Sequence, residues 1–299
     1  MFSLQANDKV GIISPSAALE NTDINQALAY LCSQQLTPVL GKYVHEQYRY
    51  MAGTDKQRAE DIMTFFEDDR IKALFCTRGG AGSLRLLPLL DYDVIRRHPK
   101  PIFGLSDSTA LQNGIYAQTT NISYSGFLLA YDFKDGQINQ MQHQDLQDIF
   151  SGRPLHYTSG KTVNEGTSEG VLVGGNAMVF LSLCGTPYFP DLSGKILLLE
   201  DVGIKSYQLD LMLHQLKQQA SFEKLRGIIF GQFTNIKIAD ACDGSIDENI
   251  ALFAREINKP VIKDFAYGHI PARHILPIGG YVKLDAKSCE VSTLPLTDN

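Results

Sequence analysis

The chain is 299 residues long, 44% hydrophobic and 20% charged, with a formal net charge of −6. This length allows a sizeable buried core and two domains, and the composition is that of a globular protein. The negative balance argues against nucleic-acid or anionic-membrane partners held by bulk attraction, although it leaves room for a local basic pocket.

Five cysteines, Cys32, Cys76, Cys184, Cys242 and Cys289, form no C-x-x-C pair. An odd, scattered set suits reduced thiols in the cytoplasm better than a disulfide framework. Asp8 and Lys9 interrupt the opening stretch, so no signal peptide is expected, and no run of about 18 apolar residues suggests a membrane span.

Lys9 to Ser14 reads as a buried strand ended by the Ser14-Pro15-Ser16 turn. Asp23 to Gln34 has helical spacing, and Thr37 to Leu40 is a short strand. Thr54 with Gln57 predicts a capping box opening a helix to Phe66. Lys72 to Thr77 is a third strand, and Arg78-Gly79-Gly80-Ala81-Gly82 turns the chain into a helix expected over Ser83 to Leu90. A fourth strand, beginning at Pro101, leads to Ser106, and a helix follows over Thr109 to Gln118.

Strands of this kind alternating with helices imply an α/β fold with a parallel sheet covered on both faces. Ligands of such sheets bind beyond the carboxyl ends of the strands. The glycine turn and Ser106 are therefore expected on one rim. A domain over residues 1–135 is expected to end in a linker over 136–169, where glutamines crowd a short helix and 152–170 is polar and glycine-rich.

A second α/β domain is expected over 170–299. Its strands are Gly170 to Asn176, Lys195 to Leu199, Gly227 to Phe233 and Pro260 to Phe265, with closing strands at Ile278 to Leu284 and Ser288 to Ser292. Helices are expected at Ala177 to Cys184, Tyr207 to Gln219 and Ile246 to Ile257.

The stretch Phe103-Gly104-Leu105-Ser106-Asp107-Ser108 reads as strand, serine, then first helical turn. A serine at such a corner thrusts its hydroxyl above the sheet edge, and the next backbone N–H points at whatever the hydroxyl attacks. The G-x-S-x-G string is only partly present, because Ser108 stands at the last glycine position. A helix-capping serine is the other reading.

A serine nucleophile needs a base and the base an orienting carboxylate. Glu200 ends an apolar strand, and His269 lies in a glycine-containing loop after another. The alternatives are a solvated strand-end acid and an exposed loop histidine. The glycine turn fails as a dinucleotide loop, since Arg85 occupies the third glycine position. It suits an N–H cradle for an anion. His269 and His274 are five apart, not the i, i+4 of a helical zinc pair, and Pro271 breaks a helix between them. Asp240 to Gly244 resembles a calcium loop only at Asp243-Gly244. No metal or cofactor is expected.

Several segments together resemble the LD-carboxypeptidase family of serine peptidases, which includes muramoyltetrapeptide carboxypeptidases and microcin-C self-immunity peptidases. They are the Ser14-Pro15 turn, Thr77 to Gly82, Phe103 to Ala110, Gly174-Gly175-Asn176, Gly185 to Tyr188, Leu198 to Val202 and Tyr267-Gly268-His269. The resemblance implies a flavodoxin-like parallel-sheet N-terminal domain, a smaller C-terminal α/β domain and an active site in the cleft between them. It implies Ser106 as nucleophile, His269 as base and acid, Glu200 as orienter, and an oxyanion hole from the N–H groups of Gly80 and Asp107.

It further implies a cytoplasmic, metal-free homodimer that acts on small peptides. Ala81, where the family often has tyrosine, bears on substrate preference rather than on these three roles. The expected reaction is removal of D-alanine from murein tetrapeptides. Peptidyl- or aminoacyl-nucleotides are the alternative substrates, and a non-catalytic anion-binding module is the alternative to an enzyme. Arg78 is the candidate for gripping the substrate carboxylate, with an ordinary surface arginine as the alternative.

Overall fold

In the computed structural model, which describes residues 2–19, 22–133, 136–237 and 241–295, the first strands pair as the apolar runs require. Strands β1 (Lys9–Ile13), β2 (Thr37–Leu40), β3 (Ile71–Cys76), β4 (Ile102–Gly104) and β5 (Ser123–Ser125) form a parallel sheet in the order β2-β1-β3-β4-β5. This is the flavodoxin-like order.

Helices α1 (Asn25–Ser33), α2 (Asp55–Glu67), α3 (Tyr92–Arg97), α4 (Ser108–Thr119), α5 (Leu129–Asp132) and α6 (Gln140–Phe150) accompany it. Thr54 caps α2 in the expected box with Gln57. Phe75 and Phe103 are register neighbours and stack at 4.4 Å, and Phe103 stacks on Tyr124 at 4.9 Å. This ladder packs on Phe150 of α6, each buried aromatic contributing about 2–3 kcal/mol.

The second sheet contains β6 (His156–Thr158), β7 (Lys161–Asn164), β8 (Thr167–Asn176), β9 (Lys195–Val202), β10 (Gly227–Thr234), β11 (Val261–Lys263), β13 (Tyr281–Asp285) and β14 (Glu290–Thr293). Between β11 and β13 the chain sends β12 (Leu276–Ile278) back to the first sheet, antiparallel to β5. The parallel centre of the second sheet is β8-β9-β10-β11, with antiparallel strands at its flanks. Helices α7 (Ala177–Leu181), α8 (Ser206–Lys217) and α9 (Ile246–Arg255) connect it.

The second half departs locally from the sequence reading. Residues 152–170, read as irregular, contain β6, β7 and the start of β8; their solvated side chains hid the strand pattern. The single run Ile278 to Leu284 is divided, because Gly279-Gly280 turns the chain between the two sheets. In the first half, Ser83–Leu89 winds as a 3-10 helix, and Pro88 denies it a backbone donor. Met1, Lys134 and Asp135 near the expected linker, Asp240 of the calcium-like string and residues 296–299 lie outside the described residues. Among the described residues no helix is long and apolar enough to cross a membrane.

Candidate active site

Ser106 stands two residues beyond β4, immediately before the Asp107 N-cap of α4. Its φ is 66°, a left-handed conformation that costs a residue with a Cβ about 1–2 kcal/mol. The corner closes through the Thr109 N–H, which donates to the Ser106 carbonyl at 2.9 Å. Gly79 allows the glycine turn to approach, since a Cβ there would meet the Ser106 Cβ at 2.9 Å.

The Asp107 side chain does not cap its own helix. Its buried carboxylate accepts from the Ser16 hydroxyl at 2.6 Å and from the Ser83 N–H at 2.8 Å. The Ser83 hydroxyl donates in turn to the Asp107 carbonyl. The turn after β1, the glycine turn after β3 and the serine corner after β4 are thus bonded into one rim.

Glu200 lies inside β9 with no exposed surface. One carboxylate oxygen accepts from Asn176 Nδ2 at 3.2 Å, and the other faces His269 Nδ1 at 2.8 Å. Asn176 pairs with Glu200 in strand register, and its N–H donates to Thr109 Oγ1 at 3.0 Å. A continuous set of bonds therefore runs from the first turn of α4 to the histidine. An ionised carboxylate is acceptor-only, so this contact calls for a proton on His269 Nδ1. Gly268, at φ +125°, lets the loop press on this pair: a Cβ would lie 2.8 Å from Glu200 Oε2.

Ser106 and His269 line one cavity of about 320 Å³, together with Arg78, Gly80, Leu128 and Tyr131. Arg78 is half-buried and donates to the Ala18 carbonyl at 2.8 Å. Gly80 adopts φ +121°. Hence every residue selected from sequence lines this cavity or bonds to one that does, apart from Asp107, whose N–H directly follows Ser106.

A larger cavity of about 770 Å³ touches Lys100, Pro101 and Ile122, at the opposite strand ends. It is remote from the rim where ligands of such sheets bind. His274 is bonded to Asp145 at 3.1 Å, so the two loop histidines serve different carboxylates. Cys76 is buried, and burial pushes its thiol far above the ordinary range, the Asp107 charge adding to the effect.

Residues invisible to sequence reasoning complete the surroundings. Arg273 and Asp132 form a buried ion pair. The only sequence signal was a charged residue beside apolar neighbours, which many surface loops share.

A parallel α/β sheet with a strained serine at its rim, in one cavity with a carboxylate-backed imidazole, has the architecture of hydrolases that use a serine. The comparisons narrow that class. Residues 10–126 match the LD-carboxypeptidase N-terminal domain and 169–284 the LD-carboxypeptidase C-terminal domain. The chain belongs to the LD-carboxypeptidase family, and so is a peptidase of the serine type.

It is 31% identical over 282 residues to a Bacillus subtilis protein named probable murein peptide carboxypeptidase, covering 93% of this chain and 88% of that one. Its structure is similar to a muramoyltetrapeptide carboxypeptidase from Oxalobacter formigenes, with a TM-score of 0.87, 26% identity and coverage of 95% and 97%. It is also similar to an MccF-like protein from Bacillus anthracis, with a TM-score of 0.87, 27% identity and coverage of 98% of each chain.

Proposed function

We propose that this peptidase removes the terminal D-alanine from murein tetrapeptides in the cytoplasm, through an acyl-enzyme on Ser106. The observation that carries the reading is that His269, paired with Glu200 at 2.8 Å, lines the same cavity as the strained Ser106. The relatives named for murein peptides support the substrate class.

Ser106 Oγ attacks the carbonyl of the bond between the L-centre of the diamino acid and D-alanine. His269 Nε2 takes the hydroxyl proton while Glu200 holds Nδ1–H. The carbonyl electron pair moves to the oxygen, which the N–H groups of Gly80 and Asp107 receive. Collapse breaks the C–N bond, and His269 returns its proton to the leaving amine. Water then attacks the ester as the same imidazole takes its proton, and the imidazolium returns that proton to Ser106 Oγ as the acyl C–O bond breaks. Arg78, half-buried at the cavity wall, provides a planar cation for the terminal carboxylate.

The test is release of D-alanine from a purified murein tetrapeptide, followed by mass spectrometry. Ser106→Ala is expected to lower turnover by about 10⁶ while the protein stays folded. Substantial activity in that variant would overturn the mechanism. Cleavage of a peptidyl-nucleotide with the tetrapeptide untouched would overturn the substrate.

A further inference from the structure

Arg273 has no exposed surface, yet carries a permanent charge. Burying a guanidinium is strongly unfavourable unless its donors are met and a counter-charge is near. Here Nε donates to the Gly126 carbonyl at 2.9 Å, Nη1 to the Ile270 carbonyl at 2.7 Å and Nη2 to Asp132 Oδ1 at 2.5 Å. The guanidinium also lies 5.0 Å from the centre of the Tyr131 ring. Asp132 is itself occupied: its carboxylate accepts from the Leu128 N–H and from Gln142 Nε2, each at 2.7 Å.

These partners fall into two groups. Ile270 directly follows His269 and belongs to the loop between β11 and β12. Leu128 and Tyr131 line the cavity that holds Ser106 and His269. Arg273 is absent from that lining, so it touches neither substrate nor reacting atoms and acts through its neighbours. The ends of the loop have other ties, Tyr267 to Ser125 at 2.7 Å and the Ile275 N–H to Asp145 at 2.9 Å. Between those ends, the Arg273 guanidinium ties the Ile270 carbonyl, next to the histidine, to Asp132 and Gly126 on the opposite wall.

We propose that Arg273, through its ion pair with Asp132, is a positioning residue that holds the His269 loop in register with the Leu128–Tyr131 wall of the catalytic cavity. The proposal rests on the serine mechanism above. A base displaced by about 1 Å from its partner can cost roughly 100-fold in rate. The fork geometry is specific: a lysine keeps the charge but cannot serve three acceptors in one plane.

The experiment uses a fluorophosphonate that labels the active serine, so that the number of labelled molecules, the limiting rate constant and the half-saturating concentration are read separately. Arg273→Met is expected to lower the limiting rate constant per labelled molecule about 10- to 100-fold and leave half-saturation unchanged. Arg273→Lys is expected to fall between that variant and the wild type.

Because Arg273→Met strands a buried carboxylate and can fail to fold, the double variant Asp132→Asn with Arg273→Met is measured beside it. It is expected to regain thermal stability but not rate. A merely structural role would reduce the labelled fraction without changing the rate constant. A rate constant within about twofold of wild type in the double variant would overturn the proposal. Wild-type protein that does not label, or Ser106→Ala that labels equally, would instead overturn the serine mechanism and this inference with it.

Discussion

Ser106 and Glu200 each occupy a place that a residue chosen for stability alone would avoid. One holds a left-handed backbone; the other is a carboxylate with no exposed surface. Such positions persist where the surroundings over-determine them, and here Asn176 and His269 satisfy the acid. Glu200→Gln retains the volume but gives His269 Nδ1 a weaker partner that permits the wrong tautomer. Turnover is expected to fall about 10⁴-fold with little change in melting temperature. A loss under about tenfold in D-alanine release would remove Glu200 from the mechanism. These residues were legible because each interrupts or follows an apolar strand. Arg273 and Asp132 were not, because burial of a charge is decided by partners more than a hundred positions away in the chain.

At the scale of elements, the rim depends on Asp107 as much as on the strands that end there. Its carboxylate fastens Ser16 and Ser83, which belong to two other turns. Asp107→Ala leaves a hydroxyl and an N–H unpaired in a buried place and is expected to destabilise the protein by on the order of 2–4 kcal/mol. Urea unfolding would measure this, and an unchanged midpoint would show that the three turns hold together without it. The strands and long helices of the first half were readable from continuous apolar runs and from Thr54 with Gln57. Short elements were not: α3, β5 and α5 give too few residues to display a period. The flanking strands β6 and β7 carry mostly solvated side chains, which resemble a loop in composition.

Over the whole molecule, the alternation of strands and helices made the α/β class and the parallel sheet legible, whereas the strand that changes sheets was not. Nothing in Leu276-Pro277-Ile278 says which of two edges it will join; that depends on the tertiary path after His269. Its place beside β5 gives the first sheet a border strand drawn from the last third of the polypeptide. A gene split after Gly152 would therefore not yield two autonomous products. The leading fragment would lose its border strand and the counter-ion of Asp132, and the trailing fragment would carry an orphan ribbon. Each alone is expected to be insoluble, and co-expression is expected to recover both solubility and peptidase activity. A leading fragment that stayed monomeric and cooperatively folded would contradict this interdependence. Recombination or modular reuse of either half should accordingly be rare, for the molecule is laced together at the place where it works.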